Sequence, residues 1–329
     1  MKILFFGARN YDKEYFNALL SEYKDITIKY ISTNLAEETA RLADGYNAIC
    51  AFVNADISSN VLEKLKECGI ELILMRCAGY NNVDINKANE LNITVMRVPS
   101  YSPEAVAEHA MALALTANRK THKAYAKMKE NDFSLSGLMG HNLYTKTAGI
   151  VGTGQIGAAM ARICFGFGMK VLAYDIHKNK EIESFAQYVT FDELLEKSDL
   201  ISLHCPLLTE TYHLINKDTI NKMKDNVILV NTSRGGLIDT NDLIEAIKNG
   251  KFAAVGLDVY DEENGLVFED HSENILQTTI VARLLSFPNV MITSHQGFFT
   301  KEAMEAISFT TLENAKAFIK KEQLVNKVN

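Results

Sequence analysis

Short apolar runs alternate with amphipathic stretches along the first third of the chain. Runs that predict buried strands lie at residues 3–6, 26–30, 48–52, 72–75 and 94–98. Between them, apolar residues recur at three- and four-residue steps and predict helices over 11–23, 37–42 and 61–67. Alternation of this kind is typical of a doubly wound parallel sheet with helices on both faces.

The same alternation returns after residue 146. Apolar runs predict strands at 148–151, 171–174, 200–204, 227–231, 253–259 and 290–293, and helical spacing appears over 156–167, 217–223 and 240–248. A chain of 329 residues is long enough for about two domains. The predicted fold class is therefore α/β, with two doubly wound parallel-sheet domains.

The boundary between these domains is predicted near residue 101. Pro99 and Pro103 are two of the four prolines, and Ser102 is a natural N-cap for a helix that continues to about residue 120. The amphipathic segment 301–321 has no partner near it in sequence, so we expect it to pack on the first domain. The predicted domains are 1–100 with 299–329, which would bind substrate, and 101–298, which would bind a dinucleotide. A cleft between them would hold the substrate.

Composition limits the classes of function. The formal net charge of −7 argues against nucleic acid or an anionic membrane surface as a partner. No apolar run approaches the roughly 18 residues of a membrane span, and Arg9 closes the N-terminal run too early for a signal peptide. The five cysteines form no C-x-x-C pair, which indicates reduced thiols in the cytoplasm and no metal site.

The strongest motif follows the strand at 148–151. Gly152, Gly154 and Gly157 form a G-x-G-x-x-G at the start of a helix, and Asp175 ends the next strand. The three glycines permit a tight turn, a close approach of the backbone to a pyrophosphate, and close packing of helix and strand. The helix N-terminus attracts phosphates, and a carboxylate at Asp175 would bind ribose hydroxyls and repel a 2′-phosphate. The motif predicts a domain that binds NAD rather than NADP.

Other polar residues follow other predicted strands. Arg234 offers a planar fork for a carboxylate, unless it forms a surface ion pair with a neighbouring aspartate. His295 is either catalytic or structural, and the acidic run 261–263 by itself favours a solvated loop. The segment around Ala78 and Gly79 is either an anion-binding loop or a plain turn.

The order and spacing of these segments resemble the D-2-hydroxyacid dehydrogenase family, most closely its lactate branch. The similarity covers nearly the whole chain and includes MRCAGYNNVD, RVPSYSPEAVAEHA, ISLHCPLLTETYHLIN, VNTSRGGLIDT, GLDVYDEE and ITSHQGFFT. The resemblance implies a Rossmann NAD-binding domain and a smaller flavodoxin-like substrate domain. Asn264, where many members have proline, and an acidic insert at 265–284 depart from the wider family.

The resemblance also implies a set of site residues. Arg234 would bind the substrate carboxylate, His295 would be the general acid and base, and Glu263 would support His295. The residues expected at the cofactor are Gly152, Gly154, Gln155, Ile156, Gly157, Asp175, Cys205, Pro206, Thr211, Thr232, Ser233 and Asp258. The residues expected to face the substrate are Ala78, Gly79, Tyr101, Arg234 and Phe298.

The implied reaction is reversible hydride transfer between NADH and a small 2-keto acid. Pyruvate and D-lactate are favoured because Tyr101, Phe298 and Phe299 would narrow the pocket. Bulkier keto acids are an alternative, and a NAD-sensing corepressor is another because relatives of this fold have that role. The family also implies a homo-oligomer built on a dimer through the NAD-binding domains. The helix at 102–120 is either its interface or a buried helix within the domain.

Overall fold

The computed structural model describes residues 1–261, 267–268, 270–273 and 279–329. These residues form two compact units. One contains Met1–Ser102 together with Phe299–Asn329, and the other contains Pro103–Phe298. Within the described ranges, no helix is both long enough and apolar enough to cross a membrane.

Strands and helices alternate along both units. The strands are β1 (Lys2–Phe5), β2 (Thr27–Tyr30), β3 (Ala48–Ala51), β4 (Leu72–Met75), β5 (Thr94–Arg97), β6 (Thr147–Val151), β7 (Lys170–Tyr174), β8 (Ala186–Tyr188), β9 (Leu200–Leu203), β10 (Val227–Asn231), β11 (Phe252–Leu257) and β12 (Val290–Ile292). The α-helices are α1 (Asn10–Leu20), α2 (Ser59–Glu67), α3 (Ile85–Glu90), α4 (Pro103–Arg119), α5 (Thr121–Lys129), α6 (Gln155–Gly166), α7 (Phe191–Lys197), α8 (Lys217–Lys222), α9 (Thr240–Lys248), α10 (Thr279–Ser286) and α11 (Lys301–Lys320).

The smaller unit is built on one parallel sheet with the strand order β2-β1-β3-β4-β5. This is the flavodoxin order, and it confirms the fold predicted for this part of the chain. The central strands β3 and β4 are buried at every position, as expected of a parallel sheet that is covered on both faces. The helix α11 packs on α1, β4 and β5 and so completes this unit.

The larger unit contains a parallel sheet with the strand order β12-β11-β10-β9-β6-β7-β8. The order reverses between β6 and β9, as it does in a Rossmann sheet, which confirms the predicted fold. Ligands of open α/β sheets bind outside the carboxyl ends of the strands at such a switch point. The ends of β6, β9 and β10 therefore mark where a ligand of this unit binds.

The helix α4 is buried inside the larger unit. It packs on α6 and on β10, β11 and β12. Its alanines Ala107, Ala110, Ala114 and Ala117 are at most 1% exposed and let the neighbouring backbones approach closely. Of the two roles considered for this helix, the structure supports the buried helix within the domain.

Several elements were missed from the hydrophobic pattern. The strand β8 and the helices α3, α5, α7 and α10 were not predicted, and the segment 37–42 contributes only to a 3₁₀ turn at Ala40–Ala43. The strand β8 has three residues and α3 has six, too few for a period to stand out. The helix α5 has no buried residue, so an apolar face could not have predicted it.

One ion pair is completely buried in the smaller unit. Arg76 Nη1 lies 3.2 Å from Asp12 Oδ1, and the two side chains are 3% and 0% exposed. The guanidinium also lies over the Phe52 ring, 4.0 Å from its centroid. Within the described residues, Asp12 Oδ1 and Arg76 Nε and Nη1 have no aligned hydrogen-bond partner. Burial raises the pKa of Asp12 despite the attraction of Arg76.

Candidate active site

The strand β6 leads directly into the glycine-rich loop and α6. Gly152 has φ +89°, and a Cβ there would lie 2.5 Å from the backbone nitrogen of Cys205, so only glycine fits. A Cβ on Gly157 would collide with the Gly152 carbonyl. A Cβ on Gly154 would meet nothing within 4 Å, so packing inside the protein does not require glycine there. Gly154 is the N-cap of α6, and it is exposed together with Gln155, so the start of this helix is accessible.

Asp175 follows β7 and lies beside the glycine-rich loop. Its carboxylate accepts hydrogen bonds from the N–H groups of Thr153 and His177 at 2.5 and 2.9 Å. The Thr153 hydroxyl also lies 3.2 Å from this carboxylate. Asp175, which follows β7, is therefore hydrogen-bonded to Thr153, the residue between Gly152 and Gly154.

Two hydroxyl groups fix the loop after β9, one from the loop after β10 and one from within the loop itself. Ser233 Oγ donates to the Cys205 carbonyl and Thr211 Oγ1 donates to the Pro206 carbonyl, each at 2.7 Å. Burial raises the pKa of the Cys205 thiol to about 11, so this thiol is protonated at neutral pH. The Thr232 hydroxyl is buried and has no partner within the described part of the chain. Such a group needs an explanation, and a bound ligand supplies one.

Asp258 follows β11 and organises the loop after β12. Its carboxylate accepts hydrogen bonds from the N–H groups of Gln296 and Gly297 at 2.9 and 2.8 Å, and from the Thr293 hydroxyl at 2.5 Å. His109 Nε2 lies 3.2 Å from the same carboxylate and 3.0 Å from the Thr293 hydroxyl. Desolvation alone would raise the pKa of Asp258, but the hydrogen bonds from His109, Thr293 and Gln296 lower it to about 2.

This network determines the backbone of His295. The His295 N–H donates to the Asp258 carbonyl at 2.8 Å, and His295 has φ +50°, a conformation that few non-glycine residues adopt. Such a backbone persists only where its surroundings hold it. The Phe268 ring lies 6.0 Å from the His295 ring and 6.3 Å from the Phe298 ring. The acidic insert thus supplies an aromatic neighbour that the sequence did not suggest.

Arg234 follows β10 and is half-buried. Its Nη1 donates to the Ser233 carbonyl at 2.6 Å. Asp239 instead faces His213 at 3.2 Å, and Asp242 accepts a hydrogen bond from a backbone N–H of the neighbouring helix α8. Across the described ranges no carboxylate forms an ion pair with Arg234, so the surface-pair interpretation is not what the structure shows.

In the smaller unit, the loop after β4 presents two N–H groups. The Ala78 carbonyl accepts a hydrogen bond from Arg97 Nη1 at 2.9 Å, and the Gly79 carbonyl accepts one from Cys77 Sγ at 3.2 Å. No described residue accepts a hydrogen bond from the N–H of Ala78 or Gly79. With the carbonyls bonded inside the loop and the N–H groups available, the geometry favours an anion-binding loop over a plain turn.

The other residues predicted to bind cofactor or substrate differ in their exposure. Gln155 is exposed and Ile156 half-buried in the first turn of α6, Tyr101 is half-buried before α4, and Phe298 is 6% exposed. Glu263 lies outside the described residues. No cluster of three or more metal-ligating side chains occurs in the part of the chain that the structure describes.

The fold and the site together define a class of protein. A Rossmann sheet with a glycine-rich loop, an acid after its second strand, and an arginine and a histidine at the same edge is the arrangement of a dinucleotide-dependent dehydrogenase. The residues present fit such a cofactor. The Thr232 hydroxyl is buried without a described partner, and the N-terminus of α6 carries a glycine that internal packing does not require.

Comparison with known proteins identifies the family. Residues 111–297 match the model described as "D-isomer specific 2-hydroxyacid dehydrogenase, NAD binding domain". The chain is 48% identical over 315 residues to a 2-hydroxyacid dehydrogenase homolog of Haemophilus influenzae, with 95% of each chain covered. It is 46% identical over 329 residues to a D-lactate dehydrogenase of Escherichia coli, with 100% of each covered.

A solved structure agrees with these relatives. The apo-structure of D-lactate dehydrogenase from Escherichia coli matches with a TM-score of 0.91 and 44% identity over 100% of both chains. The chain therefore belongs to the D-isomer specific 2-hydroxyacid dehydrogenases. It is an oxidoreductase that uses NAD, as the sequence predicted.

Proposed function

We propose that this chain reduces pyruvate to D-lactate with NADH and catalyses the reverse reaction. The observation that carries this proposal is its identity of 46% with a D-lactate dehydrogenase over the full length of both chains. The Phe268 ring beside His295 and the Phe298 ring that contacts Phe268 support it, because they favour a small substrate side chain.

His295 is proposed as the general acid and base. When bound, NADH supplies the hydride for the keto carbon. Protonated His295 gives its proton to the carbonyl oxygen, and in the oxidising direction it removes the hydroxyl proton. Glu263 is proposed to support His295 in this role. The backbone of His295, held by Asp258, would keep the imidazole in one place while the proton moves.

Arg234 is proposed to bind the substrate carboxylate. Its guanidinium has no carboxylate partner among the described residues, so its fork is available for bidentate recognition and for the charge that builds on the carbonyl oxygen. Ala78, Gly79 and Tyr101 are proposed to bind the substrate as well. The available N–H groups of Ala78 and Gly79 support this role.

Residues of the larger unit are proposed to hold NAD. Asp175 would bind the ribose hydroxyls, and the residues around Gly154 would lie against the pyrophosphate. The hydroxyl of Thr232, which lacks a described partner, supports a cofactor contact at this position, together with Cys205, Pro206, Thr211 and Ser233. Asp258 would reach the nicotinamide amide.

We also propose that two copies of the chain associate through their larger units. Large apolar side chains are exposed on α5 and in the segment between α5 and β6, including Tyr125 (67%), Phe133 (69%), Leu135 (83%) and Met139 (88%). Apolar surface of this extent indicates a partner, and a second copy is the partner expected in this family. Light scattering should give twice the chain mass, and Leu135→Asp with Met139→Asp should give the single-chain mass.

We propose a cytoplasmic location because the cysteine thiols are free. All five cysteines are free, and four of them are buried. Reduced cysteines are typical of proteins in a reducing compartment. Fractionation of cells that express the chain should recover it with cytoplasmic markers.

The first experiment measures NADH oxidation with pyruvate, 2-ketoisocaproate and phenylpyruvate, and determines the chirality of the product. Fast formation of D-lactate would support the proposal. Faster turnover of the bulky keto acids would show that they, and not pyruvate, are the preferred substrates. His295→Ala should lower kcat by about 10²–10⁴ while the Kd for NADH stays nearly unchanged. The exposed His141 provides the matched control, since His141→Ala should leave kcat unchanged.

A further inference from the structure

Tyr188, on the edge strand β8, joins the glycine-rich loop to the loop that follows Asp175. The Asn179 N–H donates to the Tyr188 hydroxyl at 2.7 Å, and that hydroxyl donates to Thr153 Oγ1 at 2.9 Å. The Thr153 hydroxyl in turn lies 3.2 Å from Asp175 Oδ2. Four groups thus form a hydrogen-bond chain that ends on the carboxylate, which we call the Tyr188 relay.

Thr153 is the centre of this relay. Its N–H donates to Asp175 at 2.5 Å, and its carbonyl accepts a hydrogen bond from Asn179 Nδ2 at 3.0 Å. Its hydroxyl faces both Tyr188 and Asp175, so each of its polar atoms is bonded, and the residue is 1% exposed. The two loops are therefore held at a fixed spacing by one buried residue.

The relay also has a direction. A hydroxyl has one proton to donate, whereas its oxygen can accept. Because Tyr188 donates to Thr153 Oγ1, the proton of Thr153 is left to point at Asp175. The Asp175 carboxylate then accepts three hydrogen bonds, from the N–H and the hydroxyl of Thr153 and from the N–H of His177. These three bonds fix its orientation. Hydrogen bonds to a carboxylate are strong, so this orientation resists rotation.

A cation lies next to the relay. Lys178 Nζ is 5.5 Å from the centroid of the Tyr188 ring, in the loop that follows Asp175. A lysine in this loop is a potential partner for a 2′-phosphate, and the relay keeps it over the ring while Asp175 faces the position proposed for the ribose.

We propose that Tyr188 and Thr153 are positioning residues that set the preference of this enzyme for NADH over NADPH. They hold the Asp175 carboxylate where a ribose 2′-hydroxyl can donate to it, and where a 2′-phosphate meets a fixed negative charge. When the relay is broken, the Asp175 carboxylate rotates and the loop that carries Lys178 moves. The electrostatic repulsion of the 2′-phosphate of NADPH therefore decreases. The inference rests on the proposed contact of Asp175 with the ribose.

The test compares Tyr188→Phe, which removes only the hydroxyl, with the exposed Tyr144→Phe as a matched control. The Kd values for NADH and NADPH are measured by titration of the cofactor fluorescence, without substrate. We expect Tyr188→Phe to raise the Kd for NADH about tenfold and to narrow the ratio of the two Kd values by a similar factor. The kcat at saturating NADH should stay unchanged, because the relay lies away from the catalytic residues.

Thr153 provides a second pair of variants. Thr153→Val should narrow the cofactor preference as Tyr188→Phe does, whereas Thr153→Ser, which keeps the hydroxyl, should retain it. An equal loss of affinity for both cofactors in Tyr188→Phe would show a merely structural role and overturn the inference.

Asp175→Ser separates this inference from the proposed function. If Asp175→Ser leaves the preference unchanged, the proposed role of Asp175 is wrong. If Asp175→Ser abolishes the preference while Tyr188→Phe and Thr153→Val keep it, the role of the relay alone is wrong. A thermal unfolding curve for each variant confirms that a folded protein is compared.

Discussion

Two aspartates, one in each unit, are buried almost completely and yet differ in the direction of their pKa shift. Asp12 is 0% exposed and Asp258 is 2% exposed. Burial raises the pKa of Asp12, whereas hydrogen bonds that outweigh desolvation lower the pKa of Asp258 to about 2. The depth of burial is therefore the same, and the difference lies in the donors around each carboxylate.

The comparison indicates that the number of aligned hydrogen bonds to a buried carboxylate, rather than its depth of burial, decides the direction of its pKa shift. Asp258 accepts from two backbone N–H groups and a hydroxyl, with His109 beside them. Asp12 has an arginine at 3.2 Å and accepts one backbone hydrogen bond, from the Arg9 N–H to Oδ2 at 2.9 Å, but Oδ1 and two of the guanidinium nitrogens make no aligned hydrogen bond within the described residues. Backbone donors are already fixed by the fold, so little conformational entropy is lost when they bind the carboxylate.

The largest effect is expected when the poorly bonded pair is broken. Arg76→Met should lower the free energy of unfolding by about 3–5 kcal/mol, because Asp12 is left buried without its counter-charge. Urea denaturation measures this change. The double variant Arg76→Met with Asp12→Asn should recover at least half of the loss. As a control, Arg41→Met breaks the exposed pair with Glu67 and should cost about 1 kcal/mol or less.

The second effect concerns the well-bonded carboxylate. Asp258→Asn places an amide where four donors converge, so the loop that carries His295 should shift and kcat should fall about 10²-fold. Steady-state kinetics with saturating NADH measures this change. The exposed Asp225 is a suitable control, and Asp225→Asn should leave kcat as it is. An Asp258→Asn enzyme with normal turnover would contradict the role of the hydrogen bonds around Asp258 in holding the loop of His295.

The pH dependence of stability should have opposite signs at the two sites. The pKa of Asp258 is about 2 in the folded protein against an ordinary 3.8, so its stabilisation is present above pH 3.8 and is lost as the pH falls through 2. About 2 kcal/mol should be lost between pH 5 and pH 2, and Asp258→Asn should remove this slope. Asp12 has a raised pKa, so its contribution is greatest below pH 3.8 and decreases as the pH rises. Urea midpoints of both Asn variants over this range measure the two slopes.

The smallest effect is expected from the loss of a single donor. Thr293→Val removes the hydroxyl that donates to Asp258 and should lower kcat about tenfold. Thr293→Ser keeps the hydroxyl and should retain most of the activity. A kcat for Thr293→Val as high as that of Thr293→Ser would contradict the role of the hydroxyl.

The sequence predicted best what is local along the chain. Gly152 and Gly157 are required by the turn and by a contact five residues apart, so a short motif contains the information. The same holds for the strands β6 and β7 and for the fold class, which follows from the alternation of elements. The full-length resemblance then indicated Arg234 and His295 as candidate catalytic residues.

The sequence could not reveal contacts between distant segments. His109 looked like any residue of an apolar helix, and its position beside Asp258 depends on the packing of α4 against β11. Tyr188 belongs to a strand of three residues, and nothing in its neighbourhood indicates that it bonds Thr153. Long-range hydrogen bonds of this kind depend on the completed fold and produce no periodic pattern in the sequence.

The division of the chain into units has a consequence for the order in which it folds during synthesis. The larger unit is one uninterrupted segment, whereas the smaller unit needs residues 299–329, which a ribosome makes only after the whole of the larger unit. The strand β5 is an edge until Val328 donates to the Val95 carbonyl and Asn326 accepts from the Arg97 N–H. Residues 1–102 are therefore made before the larger unit but gain their last partners after it, and a nascent chain carries an unprotected sheet edge meanwhile.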